Sequence, residues 1–178
     1  MTICLLNTGV RKGEVIAMPW DWIDLMAGMI RIEPNEYWQP KNGKSRDVPV
    51  ADVLRPWLEV PEDKRPKDKD GRPCRYVFPS RKATRYSYWP QSTWDRARDL
   101  SGIGGSPHVC RHTYASHFLA NCDSQLGDPL FLLSKILGHG HARVTAIYSH
   151  LMPRHLEAAR DVVCFAPALR DVSLESES

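Results

Sequence analysis

Several classes of protein are excluded by what the sequence lacks. It has no run of eighteen or more apolar residues, so we expect no transmembrane helix. Its five cysteines are scattered and form no C-x-x-C pair, which argues against a disulfide scaffold or zinc knuckle and favours a reducing, cytoplasmic setting. The N-terminus has no basic flank of the kind that precedes a secretory signal. There is also no Walker-type glycine-rich loop.

Charge is unevenly distributed along the 178 residues. The formal net charge is only +3, but residues 41–111 contain 16 lysines and arginines against 9 aspartates and glutamates, a balance of +7. Hydrophobic residues make up 42% of the chain, enough for a packed core. A basic central segment in a folded domain indicates a polyanionic partner, most simply nucleic acid. An ordinary solvated surface explains the same charge equally well.

The pattern of apolar and turn-forming residues predicts an α+β fold that is mainly helical, with a small antiparallel sheet near the N-terminus packed against a helical bundle. Residues 29–33 alternate like a strand. Asn42-Gly43 predicts the tight turn of a hairpin that joins residues 37–41 to residues 44–50. Helices are predicted over residues 8–18 with Thr8 as the cap, 51–59 with a kink at Pro56, 93–100, 106–120, 128–138 and 153–163, with a short one around Tyr148.

Four features carry side chains suited to phosphate chemistry. They are Arg11 in the first helix, Lys41 beside the turn, His108 with Arg111, and His139 followed nine residues later by Tyr148. His108 and Arg111 are three residues apart and so share a helix face. The start of that helix has free N–H groups that favour a negative charge nearby, which makes this face a candidate phosphate site.

Each feature also has an ordinary explanation. Arg11 and Glu14, three residues apart, are typical of a surface salt bridge. Lys41 is typical of a solubilising turn residue, and Tyr148 of a half-buried packing residue. The histidines of residues 139–141 are a weak zinc signal, because no cysteine or well-placed carboxylate accompanies them.

Taken in order, the motifs resemble the catalytic domain of the tyrosine recombinases, the phage-integrase family. The resemblance covers about residues 3–160. It rests on T-G-x-R-x-x-E at 8–14, the lysine turn followed by V-P at 41–49, H-x-x-R-H-T-x-A-S at 108–116, L-G-H at 137–139 and Y-x-H at 148–150. Two departures are that Val109-Cys110 replaces the usual Asp-Leu, and that Lys41 follows Pro40, which leaves Lys44 as an alternative acid.

The resemblance implies a DNA strand-transferase that works through a covalent 3′-phosphotyrosine, without metal or other cofactor. Tyr148 would be the nucleophile, while Arg11 and Arg111 would bind the non-bridging phosphate oxygens. His108 would accept the phenolic proton or bond the phosphate, and Lys41 would protonate the leaving 5′-oxygen. The remaining implied roles belong to His139, which would contact the phosphate, and to Glu14, which would orient these groups.

The resemblance also implies a domain organisation and partners. Residues 1–165 would form the catalytic domain and residues 166–178 a flexible tail. Because Met1 lies only ten residues before Arg11, the family's N-terminal helical domain is expected to be missing. The partners would be double-stranded DNA and further copies of the chain, as a tetramer on DNA joined through the C-terminal segment.

The sequence leaves three alternatives open. The first is an inactive, truncated relic or regulatory DNA-binding protein. The second is a type IB topoisomerase, which shares the chemistry, and the third is a histidine-dependent metallohydrolase. Adduct formation, plasmid relaxation and sensitivity to a chelator distinguish them.

Overall fold

The computed structural model describes residues 1–40, 43–122, 127–139 and 145–149. Within these ranges the chain forms short helices around a three-stranded antiparallel sheet, so the predicted fold class is confirmed. The α-helices are α1 (Thr2–Thr8), α2 (Lys12–Ala17), α3 (Arg55–Leu58), α4 (Gln91–Ser101), α5 (Pro107–Asn121) and α6 (Pro129–Leu137). The strands are β1 (Ile23–Asp24), β2 (Met29–Ile32) and β3 (Arg46–Pro49), and 3₁₀ helices cover Trp20–Trp22, Asp52–Leu54 and Glu62–Lys64. None of the helices described is long and apolar enough to cross a bilayer.

The sheet is ordered β1-β2-β3, with β2 in the centre. Ile30 pairs with Val48 of β3, and Ile32 pairs with Arg46. Ile30, Ile32 and Val48 have no exposed surface, whereas the alternate residues of β2 point outward. Burying each of these side chains contributes about 1.5–3 kcal/mol, which fixes the register because a slip of one residue would expose them. The strand predicted over residues 29–33 is confirmed.

The predicted hairpin partner is wrong. Residues 37–40 form no strand beside β3, and the backbone there makes only an isolated bridge between Asn35 and Trp38. The side chain of Trp38 holds the backbone in this path, because it packs edge-on against Trp22 with ring centroids 5.8 Å apart. β3 pairs instead with β2, whose buried isoleucines match Val48. Lys41 and Asn42 lie outside the described residues.

The single helix predicted over residues 8–18 is also wrong, because two helices occupy this region. Gly9 has φ +64° and ends α1, donating its N–H to the Leu5 carbonyl. A Cβ at Gly9 would lie 2.5 Å from Tyr114 and 2.7 Å from Leu137, so the chain turns in close contact with α5 and α6. Thr8 therefore does not cap a following helix. Its hydroxyl donates to the Cys4 carbonyl of α1 at 2.6 Å.

The later helices follow the predicted boundaries more closely. The helix predicted over residues 51–59 is divided into a 3₁₀ turn and α3, with Pro56 in the first turn of α3 and not at a kink. In α6 the Asp128 carboxylate accepts the N–H of Leu130 at 2.9 Å, and Gly138 ends the helix at φ +66°. These are the start and stop signals that the sequence contains.

Two apolar clusters hold these elements together. The larger one joins α1, α2 and the sheet, and includes Leu5, Val15, Ile30, Ile32 and Val48. The smaller one joins α5 and α6, and consists of Ala115, Leu119, Leu133, Leu137 and Tyr148. Because α5 packs on α1 and α6 packs on β3, the ends of several helices meet between the two clusters.

Candidate active site

A cleft of about 400 Å³ lies between the start of α2 and the start of α5. Arg11, the residue that precedes α2, lines one side, and His108 and Arg111 of α5 line the other. Trp38 and Gln39 also contribute to the wall. The structure thus brings Arg11 to two side chains that lie about 100 residues further along the sequence.

Arg111 joins the ends of two helices from within the protein. It is 3% exposed, and its Nη1 donates to the Gly9 carbonyl at 2.7 Å while its Nη2 donates to the Leu137 carbonyl at 2.6 Å. These bonds use two of the five N–H donors of the guanidinium. Burial and the nearby charge of Arg11 lower the pKa of Arg111 to about 9, which leaves it protonated at neutral pH.

Glu14 is a buried carboxylate shared by two arginines, so the interpretation of Arg11–Glu14 as a surface salt bridge is wrong. Its side chain has no exposed surface. Arg46 donates to both oxygens, from Nη1 at 3.0 Å and Nη2 at 2.6 Å, and Arg11 donates its backbone N–H at 2.7 Å. Burial alone would raise the pKa of Glu14, but the hydrogen bonds and charges of Arg46 and Arg11 outweigh it and lower the pKa.

His139 follows α6 directly and lies within electrostatic reach of the cleft. Its Nδ1 is 2.8 Å from Oγ1 of Thr145. Burial, followed by the positive charges of Arg111 and Arg11, lowers the pKa of His139 to about 4. The imidazole is therefore neutral at pH 7. In the tautomer in which the Thr145 hydroxyl donates to Nδ1, Nε2 carries the proton.

Tyr148 is buried among α5 and α6, and its hydroxyl contacts α5, although neither it nor its partner His112 lines the cleft. The residue is 7% exposed, and its phenol is hydrogen-bonded to Nδ1 of His112. The His112 ring in turn meets the His108 ring edge-on, with centroids 5.0 Å apart. Burial raises the pKa of Tyr148, and the positive charge of Arg111 partly offsets this. The phenol is thus close enough to Arg111 to respond to its charge.

Two residues of this arrangement lie within the quoted motifs, which gave neither of them a role. His112 is four residues after His108, and that spacing on one helix face was a signal that could have found it. Arg46 had no local signal, because its contacts with Glu14 and with the Ile136 carbonyl span 32 and 90 residues. Lys41 lies outside the described residues.

The fold and the site together define a small, mainly helical domain with a cleft that is lined by cationic side chains. The chain belongs to the phage integrase family, whose model matches residues 1–155. The resemblance drawn from the ordered motifs is thereby confirmed.

Known relatives match most of this chain. It is 29% identical over 159 residues to the tyrosine recombinase XerD of Pseudomonas putida, covering 86% of this chain and 49% of that protein. The solved XerA recombinase is similar with TM-score 0.61 and 28% identity, covering 88% of this chain and 54% of that one. The catalytic domain of bacteriophage HP1 integrase gives TM-score 0.60 and 27% identity, covering 89% and 77%. The chain spans about half the length of the curated relatives it matches.

Proposed function

We propose that this chain is the catalytic domain of a site-specific DNA recombinase that cleaves and rejoins DNA through a covalent 3′-phosphotyrosine. The observation that carries the proposal is the meeting of Arg11, His108 and Arg111 at one cleft, with Tyr148 within reach of the Arg111 charge. Membership of the phage integrase family supports the same chemistry. The division into a catalytic domain of residues 1–165 and a C-terminal tail of residues 166–178 stays part of this proposal, because residues 150–178 lie outside the described ranges.

The cleft suits a phosphodiester because that group repels nucleophiles until its charge is compensated. Arg11 keeps 26% of its side chain exposed and contacts Glu14 at only one terminal nitrogen, 3.3 Å away. Together with the remaining donors of Arg111, it would bind the non-bridging oxygens and stabilise the charge that grows on them in the transition state. His108, on the same wall, and the neutral His139 would add further hydrogen bonds to these oxygens.

Tyr148 would attack the phosphorus. Its Oη–P bond forms as the bond from phosphorus to the 5′-oxygen breaks, and the phenolic proton has to leave. Since the phenol is hydrogen-bonded to Nδ1 of His112, we assign the acceptance of this proton to His112 in place of His108. A base is needed because burial raises the pKa of Tyr148, which keeps the phenol protonated at neutral pH.

The leaving 5′-oxygen needs a proton, since it would otherwise depart as a costly alkoxide. A lysine supplies it in the proposed mechanism, and the candidates are Lys41 and Lys44. Lys41 lies outside the described residues, so its role stays a prediction from the motif. The proton that the lysine donates and the proton that His112 accepts balance one cleavage step, and religation reverses both.

The partner in this proposal is double-stranded DNA, with further copies of the chain assembled on it as a tetramer. The basic balance of residues 41–111 supports the first part, because lysines and arginines that meet phosphates supply most of the affinity for DNA. Binding should therefore weaken steeply as salt is raised. The assembly through the C-terminal segment rests on the family resemblance and on residues outside the described ranges.

The test is capture of the covalent intermediate. DNA with a bridging sulfur in place of the scissile 5′-oxygen releases a thiolate that religates poorly, so the protein–DNA adduct accumulates and is visible on a denaturing gel. We expect an adduct with the wild-type chain and none with Tyr148→Phe. Tyr88→Phe is the matched control, since Tyr88 is 85% exposed and belongs to no part of the site.

The outcome also separates the proposal from an inactive or regulatory DNA-binding protein. Absence of an adduct across a panel of sites, including inverted repeats of the kind the family uses, would contradict the proposal. Salt-sensitive DNA binding that persists in Tyr148→Phe, with no cleavage by the wild type, would favour a regulatory DNA-binding protein.

A further inference from the structure

Arg46 is a buried arginine that the proposed chemistry does not use directly. It begins β3, and its side chain is 7% exposed. All three of its donor nitrogens are engaged: Nη1 and Nη2 donate to Glu14 at 3.0 and 2.6 Å, and Nε donates to the Ile136 carbonyl at 2.7 Å. A bidentate guanidinium–carboxylate pair of this kind is directional as well as strong.

Glu14 therefore has two unequal cationic neighbours. Arg46 makes two short contacts to it, one to each oxygen. Arg11 makes one side-chain contact, at 3.3 Å, and leaves a quarter of its side chain in the cleft. The carboxylate is thus neutralised mainly by Arg46, which does not line the cleft.

This inequality matters because a carboxylate without exposed surface needs a cationic partner. If Arg46 lost its charge, Arg11 would be drawn into the bidentate pair with Glu14. A guanidinium held in that way has fewer donors and less net charge to offer a phosphate. The geometry of Glu14 thus couples Arg46 to the availability of Arg11.

We propose that Arg46 is a positioning residue: by neutralising Glu14 it keeps the guanidinium of Arg11 free for the scissile phosphate. This inference rests on the proposed function and deepens it. Arg46 has a second, structural contact, because Gly138 approaches it so closely that an added Cβ would lie 2.8 Å from the Arg46 Cδ. The experiment must therefore distinguish the charge of Arg46 from its packing at the end of α6.

The variants are Arg46→Met, which removes the charge, Arg46→Lys, which keeps it, and the neutral pair Arg46→Met with Glu14→Gln. Adduct formation on bridging-sulfur DNA is followed in single turnover at saturating protein. Arg46→Met should slow cleavage about 10²-fold, the usual effect of losing one donor to a transition-state oxyanion. Arg46→Lys should cleave clearly faster than Arg46→Met, since an ammonium still supplies the countercharge of the carboxylate, although it does not reproduce the bidentate geometry.

The neutral pair gives the sharpest outcome. Removing the carboxylate with Glu14→Gln removes the need for a countercharge, while the amide oxygen still accepts the Arg11 backbone N–H. The double variant should therefore cleave at least about tenfold faster than Arg46→Met alone, a coupling that a double-mutant cycle measures directly. The matched control is Arg31→Met, because Arg31 pairs with Asp47 on the outer face of the same sheet with 65% of its side chain exposed.

Each result decides the matter. If Arg46 acted only by holding the Ile136 carbonyl, Arg46→Lys, Arg46→Met and the double variant would be equally slow, and the proposal would be overturned. If Arg46→Met does not fold, Arg46→Lys and the double variant carry the test, and a loss of about 10²-fold in both would overturn it. If the wild type forms the adduct and Arg46→Met forms it at the same rate, only the role of Arg46 is rejected. If the wild type forms no adduct, the proposed function is rejected as well.

Discussion

Replacing Arg111 by lysine should destabilise the protein even though the positive charge is kept. The guanidinium spans two backbone carbonyls, Gly9 at the end of α1 and Leu137 at the end of α6. The single nitrogen of a lysine does not replace both of these donors in their fixed geometry. Hydrogen bonds from a charged donor contribute about 1.5–3 kcal/mol each, so the loss of one such bond lowers the free energy of unfolding by about 2 kcal/mol.

That magnitude is measurable as a melting temperature. A chain of 178 residues changes its Tm by about 2–4 °C for each kcal/mol, so Arg111→Lys should melt about 4–8 °C lower than wild type. Circular dichroism at 222 nm and pH 7 follows the transition. Arg98→Lys is the control, because Arg98 is 37% exposed on α4 and pairs there with Asp95 and Asp99. We expect a change below about 0.5 kcal/mol for this exposed arginine.

The comparison of the two variants can refute the argument. Equal melting temperatures for Arg111→Lys and Arg98→Lys would mean that the contacts with Gly9 and Leu137 do not stabilise the fold. The site would then have to be held by apolar packing alone.

Two further predictions concern the backbone and pH. Gly9→Ala should lower the free energy of unfolding by about 2–4 kcal/mol, because the new Cβ would both clash with Tyr114 and sit at a left-handed φ. Gly71→Ala, at φ +75° in open space, should lower it by only about 1 kcal/mol. Urea midpoints compare the two variants, and equal losses would contradict the close packing at Gly9. The pKa of His139 is about 4 in the folded protein and about 6.5 when unfolded, so the unfolded state binds the extra proton and stability falls as pH drops from 6.5 to 4. His139→Gln should lose less stability across this window than wild type, and parallel curves would show that His139 does not titrate there.

The later half of the described chain was predictable because its signals are local. Asp128 accepts an N–H of the first turn of α6, and Gly138 ends that helix in the left-handed conformation, as the sequence indicates. The alternation that predicts β2 is equally local, since burial follows the pleat from one residue to the next. The resemblance to a family added the order of the site residues, which no single motif provides.

The remainder depends on contacts between distant residues. The residues around Thr8 give no sign that Gly9 lies in close contact with Tyr114 and Leu137 and ends a helix there. One helix was therefore predicted where two exist. Likewise the partner of β3 is decided by the buried isoleucines of β2 and by Trp38, which packs inward on Trp22 and extends no strand. Local turn chemistry alone therefore favoured the wrong pairing.

The acceptors that hold the arginines explain how a buried site stays positively charged. Arg111 is satisfied by two backbone carbonyls, and Arg46 by one carbonyl together with Glu14. A carbonyl stabilises a guanidinium without cancelling its charge, whereas a carboxylate at each position would neutralise the cleft. Arg11, Arg46 and Arg111 thus carry three positive charges against the one buried carboxylate of Glu14, which leaves a balance of +2. That balance equals in size the two negative charges that the phosphorus centre carries once a phenolate has added to a phosphodiester, so the contacts that hold the helix ends together also preserve the charge that the proposed reaction requires.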